Sequence, residues 1–211
     1  MTIISFVNQK GGCSKSTTCV HFAYWLTQKK KTVIVVDADS QRSSSQWLTS
    51  LENPITSQVI QSADDLLEQI PVLAKDVDYL LVDGSAGISE TTRAILLRSD
   101  LAIVPCQPTG VDLMSAADAV KLIRQAQSVR GGLPKAAMFL SRGVKGTKLL
   151  DEAVQVLQQT GLPVLETVIF QRQAIADCFG QACTIWELPG KAATESAKEY
   201  EALFKEVMKA L

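Results

Sequence analysis

Residues 1–18 read MTIISFVNQKGGCSKSTT, an apolar run that breaks into two glycines, two lysines and four hydroxyl side chains. A strand that ends in glycines and restarts as a helix presents consecutive backbone N–H groups at a helix N-terminus. Such a terminus cradles phosphate, and the helix dipole reinforces it. Gly11 and Gly12 let the backbone approach a ligand without a side-chain clash. Lys15 is placed to reach β- and γ-phosphates, and the Ser16 hydroxyl to ligate Mg²⁺. The spelling is irregular, because G-x-x-x-x-G-K-[ST] asks for glycine at positions 9 and 14, where Gln9 and Ser14 stand. Taken alone, the stretch also suits a Gly/Ser-rich turn that caps a helix.

Working outward, short and nearly continuous apolar runs recur at Ile3–Val7, Thr32–Val36, Tyr79–Val82, Leu101–Val104, Ala136–Leu140 and Val168–Phe170. Helical patterns lie between and after them, at Lys15–Gln28, Ala63–Leu73, Glu90–Arg98, Leu113–Val129, Lys148–Thr160 and Ala192–Ala210. Strands that are apolar throughout are buried on both faces, as in a parallel sheet covered by helices. Strand–helix alternation with right-handed crossovers then predicts an α/β fold: a doubly wound, mostly parallel sheet with helices on both faces. No Pro/Gly/Ser linker and no internal repeat interrupts the pattern, so residues 1–211 are expected to form one domain.

In such a sheet the ligand sits beyond the carboxyl ends of the strands. There the sequence concentrates acids. VIVVDADSQ places Asp37 and Asp39 at one strand tip, and YLLVDGSAG places Asp83 at another. One aspartate at a strand end is ordinary turn chemistry. Three beside a phosphate loop point to Mg²⁺, held directly or through water, with Asp39 near enough to the γ-phosphate to orient an attacking water. The fourth apolar run ends in AIVPCQPTGVDL, where Pro105 and Pro108 are expected to stop the strand and leave a rigid loop against a base pocket.

Bulk properties bound the rest. The chain is 46% hydrophobic and 20% charged with net charge -1, so no global field attracts nucleic acid or anionic lipid. Five scattered cysteines without a C-x-x-C pair, and a single His21, disfavour a structural zinc site and read as free thiols of a reducing compartment. The N-terminus lacks the basic region of a signal peptide, and no apolar stretch approaches bilayer length, so a cytoplasmic protein is expected.

KGGCSKST, VVDADSQ, LLVDGSAG and IVPCQPTGVDL, in this order, resemble the deviant Walker A box, the second motif, the Walker B strand and the adenine-side loop of the ParA/MinD ATPases, a branch of the P-loop NTPases. ETVIFQRQAIADCFGQACTIWEL resembles the segment before that family's final helix, so the likeness spans essentially the whole chain. It is greatest to small ParA proteins. The resemblance implies ATP and Mg²⁺ as cofactors and a homodimer that sandwiches two ATPs. It implies Lys10 as the signature lysine reaching the partner's phosphates, with Lys10, Lys15 and Asp39 catalytic. The phosphate cradle runs through Lys10, Gly11, Gly12, Cys13, Ser14, Lys15, Ser16 and Thr17. Ser16, Asp39 and Asp83 serve the metal, and Pro105, Gln107 and Pro108 lie on the adenine side. The ATP dimer of such proteins coats nucleoid DNA non-specifically. A ParB-like adaptor or cargo-bound protein stimulates slow hydrolysis, so that a plasmid, chromosome or carboxysome-like body is moved.

Non-specific DNA affinity scales with the phosphates neutralised, and a dimer doubles any basic patch. Arg142, Lys145, Lys148, Arg172 and Lys198 are the candidate DNA contacts, each of which alone also suits a solvated surface. A MinD-like membrane switch is the rival. Tyr200, Leu203, Phe204, Val207 and Leu211 share one face of the last helix, but its lysines alternate with glutamates, which favours docking on the body and no stable membrane association. The iron–sulfur reductase branch would need paired interfacial cysteines. A non-catalytic interaction module would bind ATP without turnover. Ser14 stands where the family has glycine. At positive φ it costs about 1 kcal/mol or more; at negative φ it is harmless.

Overall fold

The computed structural model describes residues 1–87 and 90–211. Seven strands form one sheet in the order β3-β2-β4-β1-β5-β6-β7: β1 Thr2–Phe6, β2 Val33–Asp37, β3 Ser57–Val59, β4 Tyr79–Asp83, β5 Leu101–Cys106, β6 Lys135–Gly143 and β7 Ile169–Phe170. Every strand pairing is parallel. The helices are α1 Lys15–Gln28, α2 Ser43–Ser50, α3 Ala63–Ala74, α4 Glu90–Arg98, α5 Gly110–Val129, α6 Lys148–Gln158, α7 Gln173–Gly180 and α8 Lys191–Lys209.

Pleating sorts the apolar strands onto two cores. Val36, Leu80, Val82, Ala102, Val104 and Met138 face α3, α4, α5 and α6. Their neighbours Ile4, Phe6, Val35, Leu81, Ile103 and Phe139 face α1, α2, α7 and α8. Burial on both faces is why these strands are apolar at nearly every position, the buried Ser5 being satisfied by the Ser99 hydroxyl. The fold is the doubly wound P-loop NTPase arrangement, with helices on both faces of the sheet.

Three elements went unread in the sequence. Helix α2 (SSSQWLTS) has little apolar periodicity, β3 is a three-residue edge strand, and α7 is two turns long. Pro105 does not stop its strand, which runs on to Cys106. Its carbonyl accepts a hydrogen bond from Asn8 Nδ2 at 2.7 Å, so its backbone faces the side where β1 has already ended, and the missing N–H breaks no ladder bond.

The last helix is committed to the body. Tyr200, Leu203, Phe204 and Val207 are buried at 1, 0, 0 and 0% exposure, against Phe22, Trp25 and His21 of α1. Burying four such side chains contributes on the order of 8 kcal/mol. Its apolar face is therefore not left for a bilayer. No helix among the described residues is long and apolar enough to cross a membrane.

Candidate functional site

Central strands β1, β2 and β4 all end at one edge of the sheet, and register aligns Phe6, Asp37 and Asp83 there. Beyond those ends lies a cleft of about 690 Å³. Its floor is Gly11, Gly12 and Ser14–Thr17. One side is Asp39–Gln41 with Ser43 and Trp47 of α2. The other is Arg142, Ile169–Gln173 and the exposed faces of α7.

The loop is held in shape by its own polar atoms. Lys15 is 6% exposed, and its Nζ donates to the Lys10 carbonyl at 3.0 Å, so the ammonium is drawn into the loop's concavity. Cys13 is buried, donates to the same carbonyl at 3.2 Å, and burial pushes its thiol above the usual range, which makes it inert packing. Gly12 sits at φ 78° and Ser14 at φ 77°. The serine therefore occupies a left-handed conformation that the family's glycine adopts freely, at a cost of about 1 kcal/mol or more. Ser16 and Thr17 open α1 half-buried, within the cleft lining. Lys10 is half-buried on the loop's rim, does not line the cleft, and its Nζ has no partner among the described residues.

The acids divide their tasks. Asp37 is fully buried and spends both oxygens on backbone, accepting from Asp39 N–H at 3.1 Å and Ser45 N–H at 2.8 Å. It fixes the turn that carries Asp39. Asp39 is partly exposed at the cleft wall, with Oδ1 accepting from Gln41 N–H at 2.9 Å. Asp83 is fully buried, and neither oxygen meets a donor in hydrogen-bond geometry, although the Ser16 and Ser44 hydroxyls lie close enough to favour its charged form. Burial pushes its carboxyl up to about 7, and neighbouring Asp37 adds to the rise. A buried carboxylate without donors is costly unless a cation completes it. The oxygen-only set of Asp83, Ser16 and, across the cleft, Asp39 fits Mg²⁺, which takes a few protein oxygens and fills its other positions with water and phosphate. Among the described residues no group of three or more His, Cys, Asp or Glu side chains is gathered as a metal cage.

Other expected site residues fall elsewhere. Pro105, Gln107 and Pro108 do not line the cleft. Gln107 instead donates Nε2–H to the Gly12 carbonyl at 2.7 Å, and Arg142, which also lines the cleft, donates to the same oxygen at 3.3 Å, so both side chains brace the loop. The wall opposite the loop is Phe170, Gln171, Arg172 and Gln173, which lie in the segment before the last helix that resembles the family's but were not read as a ligand wall.

The expected basic stripe is also divided. Lys148 and Lys198 are exposed, and Lys145 is exposed with its ammonium 4.9 Å from the Phe170 ring centre. Arg172 is no free cation. It is 12% exposed and paired with Glu199 at 2.6 Å and Glu195 at 3.3 Å, and the bonds to Glu199 hold its guanidinium above its ordinary range. A guanidinium already satisfied by two carboxylates has little left for a phosphate.

Known proteins share this fold. The curated relative Maintenance of carboxysome distribution protein A of Halothiobacillus neapolitanus is 23% identical over 97% of this chain and 95% of its own length. An ATP complex of a Cyanothece McdA variant superposes with TM-score 0.82 at 14% identity, covering 99% of this chain and 96% of that one. The MinD septum site-determining protein of Pyrococcus horikoshii, complexed with Mg-ADP, superposes with TM-score 0.78 at 21% identity, covering 99% and 96%. The model of the CobQ/CobB/MinD/ParA nucleotide binding domain matches residues 4–182, and the chain belongs to that family.

Proposed function

We propose that the chain is an ATP-driven positioning switch, a slow, partner-stimulated ATP hydrolase that dimerises around two ATPs. The observation that carries this is the division of labour between the two loop lysines. Lys15 is drawn into its own loop, whereas Lys10 lies outside the cleft lining and its ammonium has no partner among the described residues. A cation so placed suits the phosphates of a second subunit better than those of its own.

Within one subunit, backbone N–H groups of Gly11–Thr17 and the Lys15 ammonium bind and orient the phosphates. Ser16 and Asp83 would hold Mg²⁺, with Asp39 beside it; the ion supplies charge neutralisation on the phosphate oxygens. Asp39, fixed by Asp37, orients the attacking water through its carboxylate. The Lys10 of the second subunit meets charge that builds on the transferred phosphoryl group. The Phe170–Gln173 wall takes the nucleoside end.

The ATP dimer binds DNA non-specifically through exposed lysines such as Lys148 and Lys198, and an adaptor on the cargo stimulates hydrolysis. The carboxysome distribution protein among the relatives favours a carboxysome-like body as cargo. Light scattering tests the switch. ATP with Mg²⁺ should convert monomer to dimer, and ADP should not. Lys15→Ala should weaken ATP binding by about a hundredfold, the loss of a strong charge-assisted contact to phosphate. Asp39→Ala should bind ATP, stop turning it over and persist as a DNA-bound dimer. A rapidly cycling Asp39→Ala protein would refute the assignment. Sedimentation with anionic vesicles but not with DNA would replace the DNA reading with a membrane one.

A further inference from the structure

Strand β7 is two residues long and lies at the sheet edge, joined to β6 only through Ser141↔Ile169 and Gly143↔Phe170, with a register slip between them. So short a pairing fixes little, yet the residues that follow it form the cleft wall opposite the phosphate loop. Outward backbone donors of an edge strand need acceptors from elsewhere. Helix α8 supplies them as carboxylates. Glu199 Oε2 accepts from Phe170 N–H at 3.3 Å and from Arg172 Nη1 at 2.6 Å, and Oε1 accepts from Arg172 Nη2 at 2.6 Å. The bidentate pair is backed by Glu195 and by the buried Ser196 hydroxyl, which accepts from Nη1 at 3.2 Å. Both charged partners are largely sheltered, at 12 and 17% exposure, so screening by solvent is weak. Arg172 is also the last extended residue before α7, and its guanidinium lies 5.8 Å from the Phe170 ring centre.

Two turns along the same helix, Glu206 does similar work away from the cleft. It accepts from Glu166 N–H at 2.7 Å and from Thr167. Neither Glu166 nor Thr167 lines the cleft. The molecule thus contains its own control: two glutamates that pin the edge segment to α8, only one of them behind the wall.

We infer that Glu199 is a positioning residue for the nucleoside end of the cleft, acting through Arg172 and the Phe170 backbone. The inference rests on the nucleotide reading above. A ligand made only of phosphates touches the loop and not this wall, whereas ATP spans both. Glu199 therefore sets the advantage of ATP over inorganic triphosphate, not the affinity for triphosphate itself.

The test is calorimetric titration of ATP and of inorganic triphosphate, each with Mg²⁺, into the full chain and its variants. Glu199→Gln keeps the volume and one acceptor but loses the charge. It should weaken ATP about tenfold while triphosphate binding stays within about twofold, as expected when one charge-assisted pair is degraded. Glu206→Gln should lower the Tm and leave both affinities unchanged. Glu199→Ala should exceed the effect of Glu199→Gln on ATP; if it does not fold, Glu199→Gln carries the comparison. Unchanged ATP affinity in Glu199→Gln, or parallel loss of ATP and triphosphate, would overturn the inference while the nucleotide reading stands. Failure of the unaltered chain to bind ATP would overturn both.

Discussion

Across the cleft, the wall of Gly11–Thr17 and the wall of Phe170–Gln173 face each other but are fixed by different physics. The first grows from the centre of the sheet, where backbone holds backbone at the strand ends and the side chains of Lys15, Gln107 and Arg142 add to it. Gly84 N–H donates to the Phe6 carbonyl at 3.0 Å and Gly87 N–H to the Gln9 carbonyl at 2.7 Å, tying the ends of β1 and β4 together. The second hangs from an edge strand, where one backbone bond, Gln171 N–H to the Gly143 carbonyl at 2.9 Å, is joined by side chains of α8, Glu199 above all. A backbone-built wall gives a rigid, local cradle for the charge that every nucleotide shares. A side-chain-built wall can be retuned by single substitutions, which suits the part that reads the rest of the ligand.

Acid should separate the two most strongly. His21 lies fully buried under the first wall, stacked on Tyr200. Its Nδ1 lies 2.7 Å from the Thr17 carbonyl and its Nε2 accepts from Ile185 N–H at 3.1 Å, which together require the neutral ring protonated at Nδ1. Burial lowers its pKa from 6.5 to about 4. Between those values the unfolded chain binds the extra proton, so stability rises with pH. The contribution is complete above pH 6.5 and lost as pH falls through 4. A gap of this size is worth on the order of 3 kcal/mol. Asp83 opposes this in the metal-free chain, because its raised folded pKa costs stability as pH climbs toward 7. The His21 share is therefore read as the difference between the unaltered chain and His21→Gln, which can keep both hydrogen bonds, in urea titrations at pH 7 and pH 4.5. An equal loss in His21→Gln would assign the effect to other groups. Arg172, charged throughout this range, gives the second wall no comparable dependence on its own account.

Two glycines sharpen the contrast at constant pH. A Cβ on Gly84 would meet the Phe6 carbonyl oxygen at 2.9 Å and Val7 Cγ1 at 3.2 Å. A Cβ on Gly143 would meet Val168 Cγ1 at 2.8 Å and Leu150 Cδ1 at 3.2 Å. The first obstacle is backbone in the centre of the sheet; the others are ends of side chains at its edge. Gly84→Ala should therefore cost about 2 to 3 kcal/mol and Gly143→Ala about 1, read from urea midpoints. Equal costs would show that both walls yield alike.

The same contrast explains what the sequence could tell. The phosphate loop, Asp37, Asp39 and Asp83 were legible because strand tip, glycines and acids lie in contiguous runs, and strands apolar at nearly every position announce a sheet covered on both faces. Helices α1 and α4 were bounded correctly from pattern alone. The second wall was not legible. Arg172 reads as a free basic residue until Glu199, 27 positions later, is brought against it by the fold. Gln107 donates to the carbonyl of Gly12, 95 positions earlier, a contact that no local pattern announces. Helix α2 escaped notice because its helicity rests on Trp47 and Leu48 packing into a core, and not on a periodic face.

Ser14 yields the smallest effect and tests the first wall most finely. Its φ of 77° places the β-carbon against its own backbone, and its side chain makes no capping bond that offsets the strain. Replacing it with glycine should relieve that strain, less the freedom glycine gains in the unfolded chain, a net stabilisation of about 0.5 to 1 kcal/mol. The urea midpoint should rise with an unchanged slope. Ser14→Val should move the other way by more, since a β-branched side chain tolerates positive φ least. A loop that gained nothing from glycine would be one whose backbone relaxes at position 14, and the first wall would then be softer than its hydrogen bonds imply. If glycine stabilises the fold but slows ATP turnover, the strain at Ser14 contributes to the reacting geometry, and the irregular spelling of the loop is a functional feature of this chain.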